Sequence, residues 1–143
     1  FLDAFQVRDV MKSDLATISG GADMKTVHDA LIEAPGAKLF VIEGDQLVVG
    51  TLTQPDLPDQ ALGGAEAGPL TAREIARPNP PLLVGSDNIG DALHLMHETG
   101  ESHVGVVDTM DSLKLIGLIH QIDVIVTYNR ALLEAREEEQ KAR

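Results

Sequence analysis

An ordered set of short motifs occurs twice along these 143 residues, so the chain is expected to build its core from two copies of one small unit. Val27, Ala30, Leu31 and Ala34 stand at i, i+3, i+4 and i+7, as do Ile89, Ala92, Leu93 and Met96, and each set marks the apolar face of a helix. Both contain Asp-Ala-Leu, at Asp29-Ala30-Leu31 and Asp91-Ala92-Leu93. A short apolar stretch precedes each helix, at 15–18 and 82–84. After each helix come two β-rich runs joined by a tight polar turn, 39–42 with 47–52 around Gly44-Asp45, and 103–107 with 113–119 around 108–112. Each half closes on Gly-x-aliphatic-x-x-x-Asp: Gly50-Thr51-Leu52-Thr53-Gln54-Pro55-Asp56 and Gly117-Leu118-Ile119-His120-Gln121-Ile122-Asp123.

Matching landmarks lie 62 positions apart at Asp29 and Asp91 and 67 apart at Asp56 and Asp123, a drift that insertions in surface loops produce. The predicted order in each half is helix, strand, helix, strand, strand, helix. The first repeat is placed at 1–59, a Gly-rich connector without apolar period at 60–70, the second repeat at 71–129, and a charged helical tail at 130–143. A repeat of about 60 residues has a thin core alone, so the halves are expected to pack face to face.

Composition narrows the function. Aromatic residues are 3% and Trp is absent, which leaves few rings for bases to stack on. Eleven basic against 23 acidic residues give a net charge of −12, which repels nucleic acid and anionic membrane surfaces. Zero Cys removes disulfides, thiol chemistry and Cys-type zinc sites. No apolar run approaches the roughly 18 residues that span a bilayer, so direct membrane insertion of this segment is not expected. The chain opens on Phe1 and not on Met, which fits a segment of a longer polypeptide.

These residues resemble the tandem cystathionine-β-synthase-type (CBS) domain pair, or Bateman module, over nearly the whole chain. The resemblance rests on the opener Val7-Arg8-Asp9-Val10-Met11, its counterpart Thr71-Ala72-Arg73-Glu74-Ile75, the two amphipathic helices and the closing Gly-Thr-Leu-Thr-Gln-Pro-Asp. It implies an α+β fold, two β-α-β-β-α repeats related by a pseudo-twofold axis, usually assembled into a homodimer. Such pairs are regulatory and bind ATP, ADP, AMP or related ligands in clefts between the halves. The stretch Asp123-Val124-Ile125-Val126-Thr127-Tyr128-Asn129-Arg130-Ala131-Leu132-Leu133, with 1–11 at the front, is similar to the CBS pair on the cytoplasmic end of bacterial ClC-type chloride channels and chloride/proton antiporters. That likeness implies a soluble domain at the cytoplasmic face of the cell membrane, joined to the transport domain of the same polypeptide.

Spacing alone gives Thr53 and Asp56 a structural role, with Thr53 capping exposed amides and Asp56 answering the helix dipole. The family gives the same pair a ligand role, with the hydroxyl at a phosphate and the carboxylate at ribose hydroxyls. In the second half Asp123 keeps the carboxylate, but His120 stands where the family carries Thr or Ser. A histidine there can meet a phosphate with pH sensitivity, fill the cleft or face a partner. His94 and His97, at i and i+3, and His103 raise a zinc site, but no third ligand stands at an enforced spacing, so no metal is assigned. His28 reads as a solvent-side helix residue. No phosphate-cradling glycine loop, nucleophile elbow or catalytic triad occurs, and the chain reads as non-catalytic, with no required cofactor. Past Asp123 a helix is expected to continue, with Val124, Tyr128 and Leu132 as its apolar stripe. The leading function is therefore a nucleotide-sensing regulatory domain of a ClC-type transporter; the alternatives are a ligand-free dimerisation module and a CBS sensor of another transporter or enzyme.

Overall fold

The computed structural model describes residues 5–58 and 70–142. The connector 60–70, apart from Leu70, and the first four residues lie outside the described residues. In chain order the elements are α1 (Val7–Val10), β1 (Thr17–Ser19), α2 (Met24–Glu33), β2 (Leu39–Glu43), β3 (Leu47–Leu52), α3 (Ala72–Ile75), β4 (Leu82–Val84), α4 (Ile89–Thr99), β5 (His103–Val107), β6 (Leu115–His120) and α5 (Gln121–Lys141). The strands form two three-stranded sheets, β1-β2-β3 and β4-β5-β6, in the α+β architecture that the resemblance implies. β1 runs parallel to β2, β4 runs parallel to β5, and β2 and β3 form an antiparallel hairpin with a bulge between Val41 and Ile42.

The chain divides into two compact units, and neither is a continuous stretch of sequence. The first unit holds Asp14–Pro80 with Asp111–Leu115; the second holds Phe1–Ser13, Pro81–Met110 and Ile116–Arg143. Each has its own apolar core. Val27, Leu31, Leu39, Val41 and Leu52 fill the first, and Ile89, Met96, Val104, Val106 and Ile119 fill the second. Branched aliphatic side chains suit both settings, because they pack well on a pleated surface whose other neighbours are helix faces.

The two long helices of the repeat start in the same way. Asp23 Oδ1 accepts from the Thr26 amide and Asn88 Oδ1 from the Asp91 amide, each at 2.8 Å, which satisfies a donor that the first turn would otherwise orphan. The Thr26 amide and hydroxyl hold the Asp23 carboxyl below its usual range. These caps lie 65 residues apart, and so do the buried faces, Met24, Val27 and Leu31 in α2 against Ile89, Ala92 and Met96 in α4. The Asp-Ala-Leu identity, 62 apart, is therefore one helical turn out of register. Ala30 and Leu93 are only half-buried. A three-residue slip keeps nearly the same face of a 3.6-residue helix, so periodicity cannot expose it; the caps can.

The short openers exchange places. α3, which begins the second repeat in sequence, packs in the first unit, where the Ala72 and Arg73 amides donate to Ala22 and Gly20 carbonyls at 2.9 Å. α1, which begins the first repeat, packs in the second unit, with the Val7 and Arg8 amides on Asp87 and Gly85 carbonyls at 2.7 and 3.0 Å. Two residues beyond each of these helices the chain pairs antiparallel with a strand edge, Arg77 with Thr51 and Lys12 with Leu118. Gly50 and Gly117 face these crossings. A Cβ on Gly50 would lie 2.8 Å from the Arg77 carbonyl oxygen and 2.9 Å from Ala76 Cβ, and one on Gly117 would lie 2.7 Å from Met11 Sδ. The close approach therefore calls for glycine.

α5 runs well past Asp123, as the mixed charges of the tail predict. It buries Val124 and Ala131, with Tyr128 half-buried against the second core, whereas Leu132 is 37% exposed. No helix among the described residues is long and apolar enough to cross a membrane.

Candidate functional site

The hairpin register decides what stands beside the first Gly-x-aliphatic-x-x-x-Asp motif. Leu39 pairs with Leu52 at the end of the ladder, and Thr53 follows directly. Thr53 leads into a single 3-10 turn, Gln54–Asp56. Pro55 is accommodated there because its missing N–H has no helical acceptor to satisfy. The turn brings Asp56 back over Thr53, and Asp56 Oδ2 accepts from both the Thr53 amide and the Thr53 hydroxyl at 2.9 Å. Thr53 and Asp56 thus form a capping box across the turn, the Thr53 side chain facing the Asp56 amide and the Asp56 carboxylate the Thr53 amide.

Arg77 completes this cluster from outside the motif. Its Nε donates to Asp56 Oδ1 at 2.6 Å, and the edge pairing of Arg77 with Thr51 delivers the guanidinium to the carboxylate. The Asp56 side chain is 8% exposed while that of Arg77 is 69% exposed. Burial pushes the Asp56 carboxyl up. The hydrogen bonds from Thr53 and Arg77, with the Arg77 charge, outweigh that and hold it below the ordinary carboxylate range. Three donors occupy this carboxylate, which has about four acceptor positions, so one position remains for a further donor.

The second motif repeats the plan with other side chains. Asp123 lies in the first turn of α5, and Lys12 Nζ stands 3.3 Å from its Oδ2. Lys12 comes from the crossing beyond α1, as Arg77 comes from the crossing beyond α3. His120 occupies the position before α5, and its ring meets that of His103 edge to face, with centroids 4.5 Å apart. The structure therefore brings Thr53 together with Asp56 in the first unit, and places His120 one turn ahead of Asp123 in the second. Between them they add three residues that sequence reasoning missed, Arg77, His103 in this role, and Lys12. A signal for two of these existed: a basic residue stands two positions past each short helix, at Lys12 and Arg77.

The remaining histidines stand apart from both clusters. His94 Nε2 lies 3.0 Å from Glu98 Oε1 on the exposed side of α4, and with His97 it borders a groove toward α5 that Gln121, Ile125 and Tyr128 complete. His28 borders a concavity of the first unit with Leu31, Ile32 and Leu57, and neither Thr53 nor Asp56 lines it. Among the described residues no group of three or more His, Asp or Glu side chains converges as a metal site would require.

A family model of the CBS domain matches residues 7–59 and 72–129. No curated protein matches the chain in sequence. Several solved structures share the fold. The soluble part of a magnesium transporter superposes with a TM-score of 0.73 at 14% identity, over 88% of this chain and 48% of that one. CBSX2 in complex with AMP gives 0.70 at 24% identity, over 92% and 98%. The cytosolic domain of the Mg2+ channel MgtE in complex with ATP gives 0.65 at 18% identity, over 82% and 46%. This chain thus spans about half of the two magnesium-transport domains.

Proposed function

This chain belongs to the CBS domain family, carrying two copies in tandem, and on that premise we propose that it is a non-catalytic regulatory module that senses an adenine nucleotide. The observation that carries the reading is the Thr53–Asp56–Arg77 cluster. It offers one open acceptor position on a carboxylate for a ribose hydroxyl, and beside it an exposed guanidinium for phosphate oxygens. The AMP and ATP complexes of two proteins with this fold support the ligand class. Asp123 and His120, with Lys12, form the corresponding second site.

The attached protein is proposed to be a ClC-type chloride channel or chloride/proton antiporter at the cytoplasmic face of the membrane, from the likeness of 1–11 and 123–133. A second reading, the sensor of another transporter, draws equal support from the two magnesium-transport neighbours. The coding sequence upstream of Phe1 separates the two. In either case the module forms a homodimer, and nucleotide biases transport only by its differential affinity for two arrangements of the module. A ligand-free dimerisation scaffold is the competing role, favoured by the internal pairing of both carboxylates with Arg77 and Lys12.

Thermal unfolding with ATP, ADP and AMP tests the sensor reading. A nucleotide at about 100 times its dissociation constant adds roughly 2.7 kcal/mol of stability, and Asp56→Ala is expected to abolish that shift. No shift with any nucleotide at millimolar concentration would leave the scaffold role in its place.

A further inference from the structure

Residues 5–12 hold four parts of the second unit at once. The Phe5 carbonyl accepts from the Ile89 amide at 3.2 Å at the start of α4, and the Val7 and Arg8 amides donate to the Asp87 and Gly85 carbonyls in the turn after β4. Beyond α1, Lys12 and Leu118 exchange two backbone hydrogen bonds of 2.8 Å on the edge of β6. Lys12 Nζ then reaches the first turn of α5, 3.3 Å from Asp123 Oδ2, a buried oxygen whose counter-charge it supplies. Little apolar surface backs this hold. Val7 is fully buried, Phe5, Val10 and Met11 are half-buried, and Arg8, Asp9 and Lys12 are exposed. A segment held by backbone hydrogen bonds with few buried side chains opens at lower cost than the core it lies on.

We propose that residues 5–12 are a strap that leaves and rejoins the second unit as one piece, with Asp123 setting its hold through Lys12. Undocking takes the Lys12 ammonium away from a buried carboxylate oxygen, so the charge on Asp123 favours the docked strap. Docked and undocked are the two discrete arrangements that coupling requires, and the coupling is reciprocal: what changes the Asp123 carboxylate changes the strap, and what pulls on the strap changes Asp123. The first unit is built alike, with Arg77 on Asp56 beyond α3, but that crossing lies between the two repeats. The strap at 5–12 is the one that a transport domain ahead of Phe1 would pull on. That output rests on the attachment and nucleotide readings above; the strap itself does not.

Native-state hydrogen exchange of this chain, read amide by amide by NMR, tests the inference. The Val7, Arg8, Lys12 and Leu118 amides are expected to exchange through one shared opening, faster than the Val104 and Val106 amides of β5. Lys12→Met should speed all four by about two- to fivefold, including Val7 and Arg8, and leave Val104 and Val106 unchanged. Asp123→Asn should do the same, and the two effects should not add, because both variants remove one interaction. If Asp123→Asn fails to fold, Lys12→Met still decides whether the segment opens as a unit. Faster exchange at Lys12 and Leu118 with none at Val7 and Arg8, or effects that add, overturns the proposal. If millimolar AMP moves the Thr53 and Asp56 amides while Val7 and Arg8 ignore both variants, the nucleotide reading stands and the strap falls. If the variants act as expected and AMP moves no amide, the strap stands and nucleotide is not its input.

Discussion

Asp56 is held by one neighbour in sequence and one brought from 21 residues away, and the two give its carboxylate a clear pH signature. Its folded pKa lies below the unfolded value of about 3.9, so its contribution is fully present above that value and is lost as pH falls through the lower folded one. Urea unfolding between pH 2 and 7 should show stability dropping in the acid limb, and Asp56→Asn should flatten that part of the drop. At pH 7 the same variant should cost roughly 1–3 kcal/mol, since Arg77 loses a charge-assisted acceptor beside a nearly buried group. The motif around Asp56 was legible because Thr53 and Asp56 lie within one turn. Arg77 was not, because only the edge pairing with Thr51 brings it there, and such pairing follows from packing and not from local spacing.

At the scale of elements, the strands and the long helices follow from patterns a few residues wide, and β3, β4 and β5 stand where alternation and turn residues predict them. Register between the repeats does not. Leu31 is 6% exposed and Leu93 only half-buried, although both end the same Asp-Ala-Leu motif. Leu31→Ala should therefore cost about 2–5 kcal/mol by urea titration, whereas Leu93→Ala should stay well below that and Met96→Ala should match the Leu31 variant. The two crossing glycines should differ as well. Gly50→Ala drives a methyl into backbone and a Cβ that cannot retreat, an expected loss of about 1–3 kcal/mol, while the principal obstacle at Gly117 is the end of the flexible Met11 side chain, so Gly117→Ala should cost less. Chemical denaturation of the pair of variants checks the order.

For the molecule as a whole, α5 carries two faces. Val124 and Ala131 are buried in the second unit, while Ile122, Ile125, Val126, Leu132 and Leu133 form an exposed stripe at helical spacing. If that stripe is the proposed homodimer contact, sedimentation equilibrium should give twice the 15.3 kDa chain mass for the wild type and the single mass for Ile122→Glu. With a net charge of −12 on each copy, association should strengthen as salt rises from about 10 to 150 mM, because the screening length falls from roughly 30 to 8 Å. The exchange of α1 and α3 bears on the molecule in another way. Sequence copies one repeat at a time, but each folded unit is completed by an opener from the other copy. A chain split within 59–69 would yield two pieces, each holding what the other's fold requires, so they should be inert apart and reassemble on mixing. The duplication could therefore be kept only as a pair: deleting either copy removes a part from both.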